Sequence, residues 1–178
     1  MTRLQNLLGV LYETNDDKAR LTQIVLENNV CIVKEHYKRG DDILKIVKRE
    51  IGKEETLEFE NLDLTAFPNL ESIEIKGVSL TKPLKKLNCS NLAKLERIDY
   101  QDGQLDEITL TGCTNLISLD IRGNKLTALT SIIGISNPDR VTWLTLNRNP
   151  VSSTAVNANN FDAFTKIEDK TDIGVAFA

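Results

Sequence analysis

At 178 residues the chain is long enough for one compact domain that buries roughly two thirds of its unfolded surface. Its 40% apolar and 27% charged residues are ordinary for a globular protein, and only 5% aromatic residues leave the core to Leu and Ile. A formal charge of −4 argues against a general phosphate-binding surface, which a clustered basic excess would announce, and no window reaches the roughly 18 apolar residues of a membrane span.

The N-terminal run "MTRLQNLLGVLYETNDD" is interrupted by Gln5, Asn6 and Gly9 and leads into acids without a small-residue cleavage site, so it is not read as a signal peptide. A cytoplasmic location is expected for the chain as given, with a secreted or effector location left open. Leu4, Leu7, Leu8, Leu11 and Tyr12 keep the i, i+3, i+4, i+7, i+8 stripe of an amphipathic helix. A second helix is predicted from "TNDD", with Asn15 as its cap and Leu21, Ile24 and Val25 on its apolar face. "VCIVKEHY" fits strand and helix equally. Gly40 then breaks the chain, and Asp41 caps a third helix carrying Ile43, Leu44, Val47 and Ile51 before Gly52 stops it.

From Glu54 the pattern changes. Sliding Leu84–Gln104 against Leu105–Lys125, a shift of 21 residues, brings seven apolar positions together: Leu84/Leu105, Leu87/Ile108, Cys89/Leu110, Leu92/Cys113, Leu95/Leu116, Ile98/Leu119 and Tyr100/Ile121. Apolar spacing kept over a fixed period, with little other identity, marks one coil built repeatedly and stacked, since no coil buries its apolar edge alone. The pattern LxxLxLxxNxL recurs as "EETLEFENLDL", "LESIEIKGVSL", "LERIDYQDGQL", "LISLDIRGNKL" and "VTWLTLNRNPV". This resembles the leucine-rich repeat family, and the 21-residue spacing is most similar to its short bacterial, internalin-like type.

The resemblance implies an α/β solenoid: a right-handed coil of about five repeats over residues 53–151, with parallel strands on its concave face. Equivalent strand residues Leu57, Ile73, Ile98, Leu119 and Leu144 are 16, 25, 21 and 25 residues apart. The longer convex segments "SLTKPLKKLN" and "TSIIGISNPDR" have room for a local turn or short helix. Asn stands at the ninth position only as Asn124 and Asn149, with Leu62, Val78 and Gly103 in the other copies. Residues 1–52 then form a helical N-terminal cap, or a small helical module. Residues 152–178, with Phe161, Phe164 and Ile167 at helical spacing, form a C-terminal cap segment.

No catalytic constellation emerges. His36 is the only histidine, in a Lys/Glu-rich stretch where a Cys/His or Ser/His pair would need a long tertiary coincidence, and the phosphate-loop, GxGxxG and HExxH patterns are absent. Cys31, Cys89 and Cys113 lack a CxxC pair and read as buried free thiols, not as a disulfide framework or zinc site. No cofactor and no metal is expected. The basic cluster Lys82, Lys85, Lys86 and Lys94 carries no interleaved aromatics, so nucleic acid is not the expected partner.

The strand register instead lays out a binding face. Fifth positions Glu58, Glu74, Asp99, Asp120 and Thr145 form one column with a spacing of about 4.8 Å. Trp143 and Arg97 stand in the column of third positions, and Arg122 in that of seventh positions. Leu116, Leu119, Ile121 and Leu126 should be buried, with Ser118 and Asp120 exposed between them. Like charges opposite one another on neighbouring strands are destabilising, so the acidic column reads either as a permissive solvated face or as a surface for a basic protein partner, with Trp143 either an aromatic anchor or a ring buried under the C-terminal segment. The expected function is non-enzymatic protein binding through the concave face. The alternative is a fragment of a longer bacterial surface or effector protein in which the repeats are an adhesive or spacer array. A third, less favoured, places enzymatic chemistry in the first fifty residues.

Overall fold

Apolar residues three apart close the same hydrogen-bonded turn again and again along the chain. Phe67 N–H donates to the Leu64 carbonyl at 3.0 Å and Leu70 N–H to that of Phe67 at 3.1 Å. The pair recurs as Leu92 to Cys89 and Leu95 to Leu92, as Cys113 to Leu110, and as Ile132 to Leu129 and Ile135 to Ile132. Each turn carries its apolar side chains inward, and each hands the chain to a short strand.

The computed structural model of the chain describes residues 8, 12–27, 30–36, 60–76, 83–151 and 161–167. In chain order the elements are α1 (Asn15–Lys18), β1 (Leu21–Glu27), β2 (Val30–Glu35), β3 (Asn61–Asp63), β4 (Ser72–Lys76), β5 (Lys86–Asn88) and β6 (Arg97–Tyr100). There follow β7 (Glu107–Thr109), β8 (Ser118–Asp120), α2 (Thr130–Ile133), a 3-10 turn at Pro138–Arg140, and β9 (Trp143–Thr145). They make a β-solenoid of about three turns. A six-stranded sheet runs β2-β1-β4-β6-β8-β9, parallel except for the β1/β2 hairpin, and a parallel three-stranded sheet runs β3-β5-β7. Ile24, Ile73, Ile98, Leu119 and Leu144 from one sheet and Leu62, Leu87 and Ile108 from the other belong to one buried core.

The sliding alignment of 21 residues holds as hydrogen bonding: Lys86 pairs with Glu107 and Arg97 with Ser118. Leu116, Leu119, Ile121 and Leu126 are buried as the spacing requires. The corners repeat as well. Asn91 and Gly112, one coil apart, share φ of 62° and 79°, while Asp102, Gly123 and Arg148 in successive coils have φ of 53°, 67° and 60°. At Gly123 the left-handed backbone favours glycine without demanding it, as Asp102 and Arg148 show at the same corner, and the Asp102 carboxyl lies over the position where a Cβ would stand. Asn124 carries the coil's exit from the strand: its Oδ1 accepts from Leu105 N–H at 3.1 Å, and its Nδ2 donates to the Tyr100 and Ile121 carbonyls. Asn149 repeats this with Leu126, Leu146 and Ile121.

The N-terminal region differs from the expected helical cap. Leu8 is helical and Tyr12 N–H donates to its carbonyl at 2.8 Å, while α1 is one turn long and is capped by Thr14, not Asn15: Thr14 Oγ1 accepts from Asp17 N–H, and Asp17 Oδ2 from Thr14 N–H. Leu21, Ile24 and Val25 lie on β1, not on a helix. Their spacing, Leu21-x-x-Ile24-x-Leu26, is that of the other coils, and β4 supplies a parallel edge whose N–H and C=O groups pair with them. "VCIVKEHY" resolves as strand, and β2 closes the sheet by an antiparallel hairpin. Leu8 and Tyr12 of the first predicted helix are buried. Its remaining residues, the third predicted helix and Leu57 lie outside the described residues. The ladder position beside Ile73 expected for Leu57 is held by Ile24, so the five expected repeats are not all present in that register.

Of the longer convex segments, "TSIIGISNPDR" does form a short helix and a 3-10 turn, whereas the described part of "SLTKPLKKLN" contains β5. Phe161, Phe164 and Ile167 are buried, but in the repeating turn and not in an α-helix: Phe164 N–H donates to Phe161 O and Ile167 N–H to Phe164 O. No helix among the described residues is long and apolar enough to cross a membrane.

Candidate functional site

The outward side of the six-stranded sheet carries the predicted columns in the predicted register. Ser72, Arg97, Ser118 and Trp143 are successive partners, as are Glu74, Asp99, Asp120 and Thr145. The column of fifth positions begins with Val25, which stands beside Glu74 where Glu58 was expected; Glu58 itself lies outside the described residues. Trp143 is 57% exposed and is the one large exposed hydrophobic side chain among the described residues.

The acidic column departs from expectation. Asp99 and Asp120 are 3% and 6% exposed, not solvent-facing, and Thr145 is also buried. Ser118 is half-buried. Long neighbours on both sides close over the two short carboxylates. Asp99 accepts from Gln101 Nε2 at 2.8 Å and faces Lys76 Nζ and Arg97 Nη2, each at 3.4 Å. Asp120 pairs with Arg122 Nη2 at 2.9 Å, and Arg122 Nε donates to Gln101 Oε1 at 2.9 Å. Lys76 also pairs with Glu74. Three carboxylates thus meet three cations in one network, and the ion pairs remove the repulsion that a bare column of acids would carry.

Burial decides which charges reach water. The side chains of Arg97, Lys76 and Arg122 are 57%, 42% and 34% exposed, against 5% and 9% for Asp99 and Asp120. Burial raises the Asp120 pKa from its ordinary value, opposed by the Arg122 N–H and guanidinium. The hydrogen bond to Glu74 raises that of Lys76. The face therefore presents the cationic ends of Arg97, Lys76 and Arg122, the partly exposed Glu74 and an indole, with the Asp99 and Asp120 carboxylates beneath.

Elsewhere, His36 lines a groove of about 510 Å3 with Asp16, Arg20, Glu71 and Lys94 at the rim of the sheet. No group of three or more His, Cys, Asp or Glu among the described residues is placed to hold a metal. All three thiols are buried. Desolvation pushes Cys31 up to about 12 and Cys113 up to about 11, and raises Cys89 well above its ordinary value. Cys113 Sγ donates to the Cys89 carbonyl at 3.0 Å, so these two stack from coil to coil. Neither supplies a thiolate nucleophile at neutral pH.

The part of the face that sequence reasoning missed is β1. Its signal was the Leu21-x-x-Ile24-x-Leu26 spacing, identical to that of the coils it joins. No protein-family model, no curated protein and no solved structure matches the chain.

Proposed function

We propose that this chain is a leucine-rich repeat solenoid of the short, internalin-like kind and acts as a non-enzymatic protein-binding module, with the outward, concave side of the six-stranded sheet as its docking face. The observation that carries the reading is Trp143, a large apolar ring held in water at the end of a column whose other members are polar. Exposed aromatic anchors ringed by polar groups are what interfaces use. The preference for a basic partner is not retained, because Asp99 and Asp120 are buried against Lys76, Arg97 and Arg122.

Trp143 is the only tryptophan, so its emission reports on this face alone. Peptides selected from a displayed random library against the whole chain should blue-shift that emission and lose affinity to Trp143→Ala by tenfold or more. If every selected binder leaves the emission unchanged, the docking face is elsewhere. The Phe161–Ile167 turn repeats the geometry of the coils, which supports a second reading, an adhesive or spacer array within a longer protein. In that reading no selected peptide engages the sheet.

A further inference from the structure

We propose that Arg97, with Ser72 and Ser118 on either side of it, is a carboxylate-recognition subsite. Together with Trp143 it takes a polyproline II segment bearing an acidic side chain three residues from an apolar ring. The proposal rests on the sheet being the docking face and names the chemistry that the face selects.

Arg97 sits on β6, in the interior of the sheet, and its side chain is 57% exposed. Its one side-chain hydrogen bond or ion pair among the described residues is a 3.4 Å approach of Nη2 to Asp99, which uses no more than one of its five N–H donors, and it acts on Asp120 only through space. Asp99 is meanwhile satisfied by Gln101 and Lys76, so the guanidinium is oriented from below without being consumed. A planar fork with free donors is matched by a carboxylate, which it binds with two parallel hydrogen bonds.

The neighbours in register leave room for that acid. Ser72 and Ser118 flank Arg97 at about 4.8 Å and carry small hydroxyl side chains with no hydrogen bond among the described residues. Each hydroxyl can donate to a carboxylate held by Arg97. Trp143 follows Ser118 in the same column, two strand spacings or about 9.6 Å from Arg97. A polyproline II segment repeats every three residues and rises about 9.3 Å over them. An acid and a ring at that separation therefore meet Arg97 and Trp143 from one edge of the segment, with Ser118 under the gap between them.

The test uses the full chain and a blocked peptide, acetyl-Pro-Pro-Glu-Pro-Pro-Phe-Pro-Pro-amide, together with its Phe-Pro-Pro-Glu reversal, followed by Trp143 emission and backbone amide shifts. One of the two orders should bind and shift β6, β8 and β9. Glu→Gln in the peptide should weaken binding at least tenfold, and so should Arg97→Gln with its amide spectrum otherwise unchanged. Arg97→Lys should recover only part of the loss, since an ammonium lacks the fork. Equal binding of the Gln peptide, or indifference to Arg97→Gln, overturns the subsite. Tighter binding of a Gln peptide with a free C-terminal carboxylate overturns the side-chain source of the acid. If the acidic peptides fail while library-selected peptides still move Trp143, the docking face stands and the subsite falls; if those also leave Trp143 unmoved, both fall.

Discussion

Tyr100 fills a place that asparagine holds in the next two coils. Asn124 and Asn149 tie the strand exit to the coil before them, but the equivalent of Asn124 one coil earlier is Gly103. A Cβ on Gly103 would stand 2.2 Å from the Tyr100 ring. The ring thus occupies the missing side chain's volume, and the Tyr100 hydroxyl takes a main-chain hydrogen bond from Gln104. Gly103→Asn should cost about 1–3 kcal/mol as overpacking. Tyr100→Leu combined with it should recover most of that loss, giving a coupling of at least about 0.5 kcal/mol in a urea double-mutant cycle. The departure at Gly103 was visible in the sequence, but its cause was not, because the ring that fills the gap comes from three residues upstream. Asp120 gives a second residue-scale test. Its folded pKa is raised by burial above the ordinary 3.8, so the folded state favours the protonated form more than the unfolded state does. Its contribution to stability is then greatest at pH below 3.8 and declines as pH rises through the raised folded value. Asp120→Asn should remove that decline. The urea midpoint of wild type minus that of Asp120→Asn should fall with rising pH across this window and stay flat above it.

At the scale of elements, the β1/β2 hairpin shows how far periodicity can mislead. Leu21, Ile24 and Val25 satisfy the i, i+3, i+4 stripe of a helix, yet Ile24 and Leu26 point inward and Val25 outward on a strand. The β-branched Thr22, Ile24 and Val25 favour the strand, and the parallel edge of β4 settles it. Periodicity alone could not, because the partner strand lies 49 residues on, at Ile73 paired with Ile24. Ile24→Ala should therefore cost ~2–5 kcal/mol in urea unfolding, as large a loss as Leu119→Ala, because both truncate the same core row. A loss below 1 kcal/mol would mean that the hairpin is peripheral to the cooperative unit. β2 also carries a guard against pairing with other chains. Glu35 is buried on this strand, the outer one among the described residues, accepting from the Tyr12 hydroxyl at 2.6 Å, and an inward acidic side chain on such a strand disfavours slipped or intermolecular partners.

Across the whole molecule, the coil period and the inward leucines were legible from residue spacing, since burying one apolar edge forces the same positions in every turn. The accessibility of the outward columns was not, because it depends on which long side chains bend over which short ones. Asp99 and Asp120 carry the lesson. Reversing both to Lys puts two cations into buried positions beside Lys76, Arg97 and Arg122. That double variant should lose ~3 kcal/mol or more of stability, read by thermal or urea unfolding, whereas freely exposed acids would tolerate the change. The solenoid's uniform pitch also has a consequence at Arg148. Its guanidinium reaches the Asp102 carboxylate at 2.9 Å by passing over the bare backbone of Gly123, the corner of the intervening coil. That ion pair works as a ruler. It closes when one 21-residue coil with a glycine corner separates its ends, and an extra coil would carry them another 4.8 Å or so apart. Duplicating Leu105–Lys125 in tandem should give a longer, folded chain in which Arg148→Ala no longer alters the Asp102 side-chain carboxyl resonance, while in the parent chain it does. The molecule thereby holds a record of how many coils lie between Asp102 and Arg148, written in one contact that a repeat gained or lost within that stretch erases.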